Sequence, residues 1–192
     1  ALFGVALIVM HYLFLTRLRG PTVGLYGALM LLLNIEILAL GRMAITDSVL
    51  IFFTTLSLYS FWLGLHEPGS GRHWIWGFYV GMALATLTKG PVGFAVPLIT
   101  VLLYLLATRR WRLFWKRGTP LAGTLLFFIL AGPWYAAMFL IHGDAYSSQA
   151  QVHTVGRFLA PMEGHGVGWW FYFPVLLLGF YPWSSFLPAG LY

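Results

Sequence analysis

Long apolar stretches alternate with short polar breaks along the whole chain. Seven such stretches can be distinguished, at residues 1–16, 22–40, 48–65, 74–88, 91–107, 119–141 and 169–188. Most are close to the roughly 20 residues that an α-helix needs to cross the ~30 Å hydrocarbon core of a bilayer. The pattern therefore predicts an all-α fold, a polytopic transmembrane helical bundle of about seven spans, in which 74–88 is short enough to be tilted or only partly spanning.

Composition supports a membrane protein. The sequence of 192 residues is 60% hydrophobic and 18% aromatic, and only 8% of it is charged. A soluble domain of this size cannot bury so much apolar surface. The chain begins inside an apolar run, without Met or the basic segment of a signal peptide, so we expect it to be part of a longer protein. The sequence contains no cysteine, which removes disulfides and thiolate metal sites from consideration.

The basic residues follow the predicted topology. Loops 17–21, 66–73 and 108–118 fall on one side of the membrane and carry most of the Lys and Arg, namely Arg17, Arg19, Arg72, Arg109, Arg110, Arg112, Lys116 and Arg117. Loops 41–47, 88–91 and 142–168 fall on the other side and carry Arg42, Lys89 and Arg157. The positive-inside rule makes the first side cytoplasmic. We expect "RRWRLFWKRG" (109–118) to contact anionic lipid headgroups, and no nucleic acid partner, because the cations lie between spans.

One outer turn has the chemistry of an anion site. In "TLTKGPVG" (86–93), Gly90 can end one helix in a left-handed conformation, and Pro91 lies where the next helix would start. Free N–H groups of that next helix, together with the Lys89 ammonium, would bind a phosphate. The alternative is a tight turn whose lysine only reaches the lipid headgroups.

A second outer turn, "GRMAITDSV" (41–49), contributes a carboxylate and a guanidinium. Asp47 could simply cap the following helix, or it could accept a proton from an attacking hydroxyl or hold a metal ion. Arg42 could bind phosphate or anchor the chain at the interface. The sequence leaves these alternatives open.

The third outer element, residues 142–168, is too long for a tight connection. We expect residues 146–159 to form a short interfacial helix, with His153 and Arg157 on one side by their i, i+4 spacing. His153 is a candidate ligand for a divalent metal ion, although a hydrogen-bonded interfacial histidine is the commoner outcome. Arg157 is a candidate phosphate ligand, because a guanidinium matches phosphate oxygens.

Two further features lie within the predicted spans. Glu36 is expected to face protein or water, since a carboxylate in hydrocarbon is costly. Gly77 and Gly81 are four residues apart, a spacing that favours close helix packing.

Several motifs in a fixed order resemble a known family. They are "GRMAITDSVLIFFTTLSLYSFW", "LATLTKGPVGFAVPL", "GPWY" followed by the polar loop with "VGRF", and "GWWFYFPVLLLGFYPWSSFLP", which together extend over residues 35–188. The ordered set resembles the lipid A aminoarabinose transferase and protein O-mannosyltransferase family of polytopic C-type glycosyltransferases. The resemblance implies a membrane enzyme that moves a sugar from a polyprenyl-phosphate carrier to a lipid, polysaccharide or protein acceptor, on the periplasmic side of the bacterial inner membrane.

The resemblance also implies roles for individual residues. Asp47 matches an aspartate near the family's substrate cavity, and Lys89 matches a lysine near the carrier phosphate. His153 and Arg157 match the polar loop that borders the active site, where some relatives bind a metal ion.

The chain departs from the family in one important respect. The family's acidic catalytic motif lies in the first outer loop, and no equivalent carboxylate pair occurs here, which would place that motif upstream of Ala1. We therefore expect residues 1–192 to form a single transmembrane domain, inactive alone, that lacks the N-terminal spans with the first outer loop and the C-terminal region. A transporter or flippase of a lipid-linked sugar is the main alternative, and a purely structural membrane subunit is the third.

Overall fold

The structure, a computed structural model, describes residues 1–43, 46–67, 73–151 and 169–190, with the main chain only at 144–151, 169, 172, 189 and 190. All regular structure in these ranges is helical, which confirms the all-α prediction. The helices are α1 (Leu2–Arg19), α2 (Pro21–Leu32), α3 (Ile35–Arg42), α4 (Asp47–His66), α5 (Trp74–Lys89), α6 (Val92–Thr108), α7 (Trp111–Arg117), α8 (Pro120–Gln151), α9 (Tyr172–Gly179) and α10 (Leu187–Gly190), with 3₁₀ turns at Trp169–Phe171 and Trp183–Phe186.

The helices are grouped into two compact units. The first unit comprises the described residues of Ala1–Ser48 and Ala160–Tyr192, and the second comprises those of Val49–Leu159. The first unit thus joins the two ends of the sequence, whereas the second is continuous.

In the first unit, α1 and α2 form an antiparallel pair around the turn at Gly20. A Cβ atom on Gly24 would lie 2.1 Å from Thr16 Oγ1, and a Cβ on Gly27 would lie 2.1 Å from Leu15 Cδ1. The absence of side chains at these two glycines is what allows the helices to approach so closely.

The predicted span 22–40 is not one straight helix, which corrects the sequence interpretation. It is interrupted between α2 and α3, whose axes differ by 64°. Asn34, only 5% exposed, causes the break. Its Oδ1 accepts the N–H of Ile37 at 3.0 Å as the N-cap of α3, and its Nδ2 donates to the carbonyl of Gly179 at 2.9 Å. Asparagine side chains compete for backbone hydrogen bonds, and so favour helix starts over helix interiors.

The apolar stretch 169–188 is likewise not one continuous helix. Helix α9 has only eight residues, and it is followed by a turn and the 3₁₀ segment Trp183–Phe186. Pro182 lies in that turn, where its missing N–H prevents continuation of the helix. The indole N–H of Trp183 donates to the carbonyl of Met30 at 2.7 Å, which holds the segment against α2 in the same unit.

In the second unit, α4 and α5 run antiparallel in close contact. A Cβ on Gly77 would lie 2.5 Å from Ser60 Oγ, and a Cβ on Gly81 would lie 2.8 Å from the backbone nitrogen of Ser57. The hydroxyl of Ser57 donates to the carbonyl of Phe78 at 2.9 Å across this interface. The predicted close packing at Gly77 and Gly81 is confirmed.

The hydrophobic core of the second unit lies at one end of the α4–α5 pair. Its buried members come from α4, α5 and α6 and are Phe61, Leu65, Ile75, Phe78, Tyr79, Met82, Val101 and Leu105. Residues of α7 and α8 pack against this cluster and close it. The described ends of the connections follow the predicted alternation. His66 and Glu67 meet residues of 108–118 at the core end, and 88–91 lies at the other.

Some of the helices are long enough to cross a membrane. Among the described residues, α1, α4 and the Pro120–Gly143 part of α8 are long and apolar enough to span a bilayer, and the bent pair α2–α3 would make a fourth span. Helix α6, with 17 residues, is a shorter apolar helix. The total of about seven spans therefore stays a prediction, while the polytopic helical architecture is observed.

We expect Gly81→Ala to destabilise the second unit by about 1–3 kcal/mol, because the new methyl group would meet backbone atoms of α4 that cannot move aside. Gly132→Ala is the matched control, since no atom lies within 4 Å of its Cβ position. Thermal unfolding of the purified full-length protein in detergent measures both. Equal melting temperatures for the two variants would contradict the close α4–α5 contact.

Candidate functional site

The Thr-Lys-Gly-Pro turn has the predicted form, with one difference in its backbone. Helix α5 ends at Lys89, and the N–H of Gly90 donates to the carbonyl of Thr86 at 2.8 Å. Gly90 has φ 73° and ψ −148°, so its φ is positive as expected but its ψ is not that of a left-handed helix. This combination is accessible essentially to glycine alone. Pro91, at φ −56°, then leads directly into α6.

The N–H groups at the start of α6 are not all free, which corrects part of the predicted anion site. The N–H of Gly93, one of the first N–H groups of the helix, donates to the carbonyl of Gly90 at 2.9 Å, and that of Ala95 makes the ordinary i→i−4 helical bond to the carbonyl of Pro91 at 3.0 Å. The cationic character of the turn therefore comes mainly from Lys89, whose side chain is exposed. An exposed ammonium on a well-defined turn can bind an anion without help from those two N–H groups.

Neighbouring helices hold the turn rigidly. A Cβ on Gly93 would lie 2.2 Å from the carbonyl carbon of Ala85, so the backbones of α5 and α6 are in direct contact there. From α8, the hydroxyl of Tyr135 donates to the carbonyl of Thr86 at 2.9 Å. The last turn of α5 is thus fixed on two sides, and so is the main chain that carries Lys89.

An apolar cavity of about 300 Å³ lies directly next to this turn. It is formed between α5, α6 and α8, and the surface that it presents is apolar. Its lining residues are Thr86, Pro91, Phe94, Phe127, Phe128, Ala131, Gly132 and Tyr135. The rings of Phe94 and Phe127 meet edge to face, with centroids 6.2 Å apart. Such a cavity suits a hydrocarbon chain better than a sugar, which needs polar partners.

The carboxylate candidate Asp47 is the first residue of α4 and is half-buried. A negative charge in the first turn interacts favourably with the helix dipole, while the predicted capping by Asp47 stays a prediction. The stabilising role and a catalytic one are compatible, because the first leaves carboxylate lone pairs for other partners.

The other predicted site residues are less fully described. Arg42 is exposed in the last turn of α3, where a cation is favourable to the helix dipole. Asp47 and Arg42 belong to the first unit and Lys89 to the second. His153 and Arg157 lie outside the described residues, as does the later part of the predicted interfacial helix, although the main chain is helical up to Gln151.

The metal ion stays a prediction. Within the described part of the chain, His, Asp and Glu side chains form no group of three or more that could hold one. The candidate ligand His153 falls in the range 152–168, to which that search did not extend.

One residue with a clear structural role was not identified from the sequence. Tyr135 lies in the quoted "GPWY" segment, yet its role in fixing the turn depends on α8 crossing α5. A tyrosine in an apolar run requires a partner for its hydroxyl, which was the available signal. Glu36 was expected to face protein or water, and its Oε2 lies 2.6 Å from the Cβ position of Gly179, against the α9 segment.

Comparison with known proteins shows which family this chain belongs to. The model of the family described as dolichyl-phosphate-mannose-protein mannosyltransferase matches residues 1–147 of this chain. The chain belongs to that family. The resemblance inferred from the ordered motifs is therefore confirmed, and the protein is a multi-pass membrane protein with the family's helical fold.

Two curated relatives of this chain come from bacteria. One from Edwardsiella ictaluri is 32% identical over 178 residues, covering 91% of this chain and 32% of the relative. One from Pseudomonas paraeruginosa is 30% identical over 188 residues, covering 96% of this chain and 34% of the relative. Both are named undecaprenyl phosphate-alpha-4-amino-4-deoxy-L-arabinose arabinosyl transferase.

Solved structures show the same fold. The crystal structure of ArnT from Cupriavidus metallidurans in the apo state superposes with a TM-score of 0.83 at 24% identity, covering 97% of this chain and 34% of that one. The structure of the same protein bound to undecaprenyl phosphate gives 0.86 at 22% identity, covering 98% and 35%. The chain spans about a third of the length of the curated relatives and structures that it matches.

We expect Gly90→Ala to destabilise the turn by about 1–3 kcal/mol, because an L side chain is strained at this φ and ψ. Pro91→Ala is the matched control, since alanine readily adopts a φ of −56° and should change stability less. Unfolding of the two full-length variants in detergent provides the measurement. A larger loss for Pro91→Ala than for Gly90→Ala would contradict the backbone conformation described here.

Proposed function

We propose that this chain is the central membrane region of a glycosyltransferase that takes a sugar from a polyprenyl-phosphate carrier. The observation that carries the proposal is the exposed Lys89 on a rigid turn beside an apolar cavity of about 300 Å³. A cation next to an apolar cavity matches a ligand that has a phosphate and a hydrocarbon chain. The names of the curated relatives favour undecaprenyl phosphate as carrier and aminoarabinose as sugar. The resemblance to the lipid A aminoarabinose transferases leads us to infer a lipid acceptor.

In the proposed reaction, the acceptor oxygen forms a bond to the anomeric carbon while the bond from that carbon to the phosphate oxygen breaks. The electron pair of the broken bond stays on the polyprenyl phosphate. The leaving group gains negative charge as it departs, so cations lower the barrier more effectively than a proton donor would. Lys89 supplies one such cation, and we assign Arg157 and Arg42 as further phosphate ligands.

We assign Asp47 as the acceptor of the proton from the attacking hydroxyl. A single carboxylate is enough, because phosphate is already a good leaving group and needs no general acid. The reaction is then one displacement with inversion at the anomeric carbon. If the acceptor group is itself a phosphate, it arrives deprotonated and the base becomes dispensable.

The distribution of charge supports a site on the periplasmic side of the bacterial inner membrane. In the second unit, the basic connection 108–118 lies at the end of the helices opposite to Lys89. The positive-inside rule assigns such a basic connection to the cytoplasm. The turn with Lys89 then faces the periplasm, where the carrier presents its sugar.

A transporter or flippase of a lipid-linked sugar is the second candidate. The observation in its favour is the break between α2 and α3, bent by 64°, with Asn34 and Glu36 at the break. Transporters often use broken helices with polar groups inside the membrane. A transporter would carry the sugar across the bilayer without transferring it, which separates the two functions by experiment.

We expect Lys89→Ala and Asp47→Asn each to lower sugar transfer at least about 100-fold in the full-length protein, since each removes a charge used in the transition state. Asp47→Asn keeps the size and shape of the side chain, and Lys89→Arg keeps the cation, so these variants separate chemistry from folding. Transfer from radiolabelled undecaprenyl-phosphate aminoarabinose in membranes is the assay. Unchanged turnover in both charge-removing variants would refute the site, and translocation without transfer would favour the transporter.

The sidedness of the proposed site can be tested separately. Single cysteines introduced at positions 47, 89 and 116 should react with a membrane-impermeant maleimide from the periplasm at 47 and 89, and only after permeabilisation at 116. This chain contains no cysteine that would interfere. Labelling of 47 and 89 from opposite sides of the membrane would exclude a shared pocket.

A further inference from the structure

The basic connection between α6 and α8 is not a loop lying on the surface but the short helix α7, which has two different faces. Its inner face consists of Trp111, Leu113 and Phe114, which pack against the core cluster of the second unit. Its outer face consists of Arg112, Trp115 and Lys116, which are exposed and spaced i, i+3 and i+4.

Arg117 fixes α7 to the rest of the second unit. Its Nη1 donates to the carbonyls of Leu65 at 3.1 Å and Glu67 at 3.0 Å, which are at the C-terminal end of α4. Those carbonyls have no partner within the helix, so a guanidinium there both satisfies them and suits the helix dipole. The hydroxyl of Tyr79 also donates to the carbonyl of Gly118 at 2.8 Å.

Arg110 makes a second set of contacts near the C-terminal end of α4. Its Nη1 donates to Nε2 of His66 at 2.6 Å, and the hydroxyl oxygen of Tyr104 lies 2.9 Å from the same nitrogen. Nδ1 of His66 lies 3.0 Å from the carbonyl of Trp62, which makes Nδ1 the protonated nitrogen. Arg110 and Arg117 therefore serve the packing of the helices.

The remaining cations face outward around an exposed tryptophan. Arg109 is exposed beside the outer face of α7, and Trp115 in that face is 62% exposed. No acidic residue occurs in the sequence between Glu67 and Asp144, so the positive charge of this surface is not neutralised by neighbours along the chain. We call Arg109, Arg112, Trp115 and Lys116 the α7 surface.

We propose that the α7 surface is a binding site for the headgroups of anionic phospholipids. Arg and Lys near a membrane surface are attracted to anionic headgroups. Tryptophan has its preferred position at the headgroup level, where its ring is half in hydrocarbon and its N–H meets water. A cationic surface that bound a soluble acidic partner would gain nothing from leaving Trp115 in water, so the combination favours lipid.

Lipid binding at the α7 surface stabilises the whole second unit. Helix α7 is tied through Arg117 to the end of α4 and through its inner face to the core cluster. A lipid that binds the outer face of α7 in the folded protein stabilises the native arrangement of α4, α5 and α6, because a ligand of the native state raises its stability.

The experiment is a titration of the full-length protein in detergent with dioleoylphosphatidylglycerol, with dioleoylphosphatidylcholine as the neutral lipid, read by native mass spectrometry and by melting temperature. We expect the wild type to bind the anionic lipid more tightly. Arg112→Gln/Lys116→Gln should lose at least about ten-fold in affinity for it at low salt and lose its stabilising effect. Arg112→Lys/Lys116→Arg retains both charges and should bind as the wild type does.

Arg117→Gln provides the contrast that separates lipid binding from packing. It removes the bonds to the carbonyls of Leu65 and Glu67, so it should lower the melting temperature by a similar amount in both lipids. Equal affinity of the wild type for the two lipids, unchanged affinity in the double glutamine variant, or stronger binding of soluble polyglutamate than of anionic lipid would each overturn the proposal.

Discussion

The close antiparallel contact of α4 and α5 is the constraint on which the rest of the second unit depends. Gly77 lies against Ser60 and Gly81 lies against Ser57, at distances that leave no room for a side chain. In a membrane, lipid is as apolar as leucine, so helix association relies on close packing and hydrogen bonds, and small residues supply the contact area. The pairing of α4 with α5 in turn determines the positions of the polar residues at the ends of both helices.

The two ends of that pair differ in how they are filled. At the α7 end, large side chains such as Phe61, Leu65 and Phe78 fill the space between helices. At the other end, the small Ala131 and Gly132 of α8 leave an apolar cavity beside the turn that carries Lys89. Tight packing at one end holds the helices in place while the other end keeps space for a chain. The lipid-linked substrate that we propose would need this combination of a rigid scaffold and an open apolar cavity.

The cations of this unit have distinct roles that their residue type does not reveal. Arg117 binds carbonyls of α4, and Arg110 binds His66, so both stabilise the fold. Lys89 is exposed on a turn that Tyr135 and Gly93 hold rigidly. The surroundings of these cations differ. Arg117 and Arg110 contact protein acceptors and stabilise packing, whereas Lys89 and the cations of the α7 surface are exposed, which is compatible with the phosphate-binding roles proposed for them.

The sequence by itself determined the features that depend on local chemistry. Apolar runs become helices because a backbone in lipid must satisfy its own hydrogen bonds, and Gly90 with Pro91 ends one helix and begins the next. The ordered motifs were enough to identify the family, and the position of Lys89 at a helix end followed from its immediate neighbours. These interactions join residues only a few positions apart.

Only the tertiary structure decided the features that join distant residues. Asn34 interrupts the predicted span 22–40 because it bonds the carbonyl of Gly179, 145 residues away, and Arg117 turns from a headgroup cation into a helix cap because Leu65 lies beside it. Tyr135 reaches Thr86 only because α8 packs on α5. Hydropathy measures how a segment partitions into the membrane, whereas the partner of each polar atom depends on which helices meet, and that is set by packing in three dimensions.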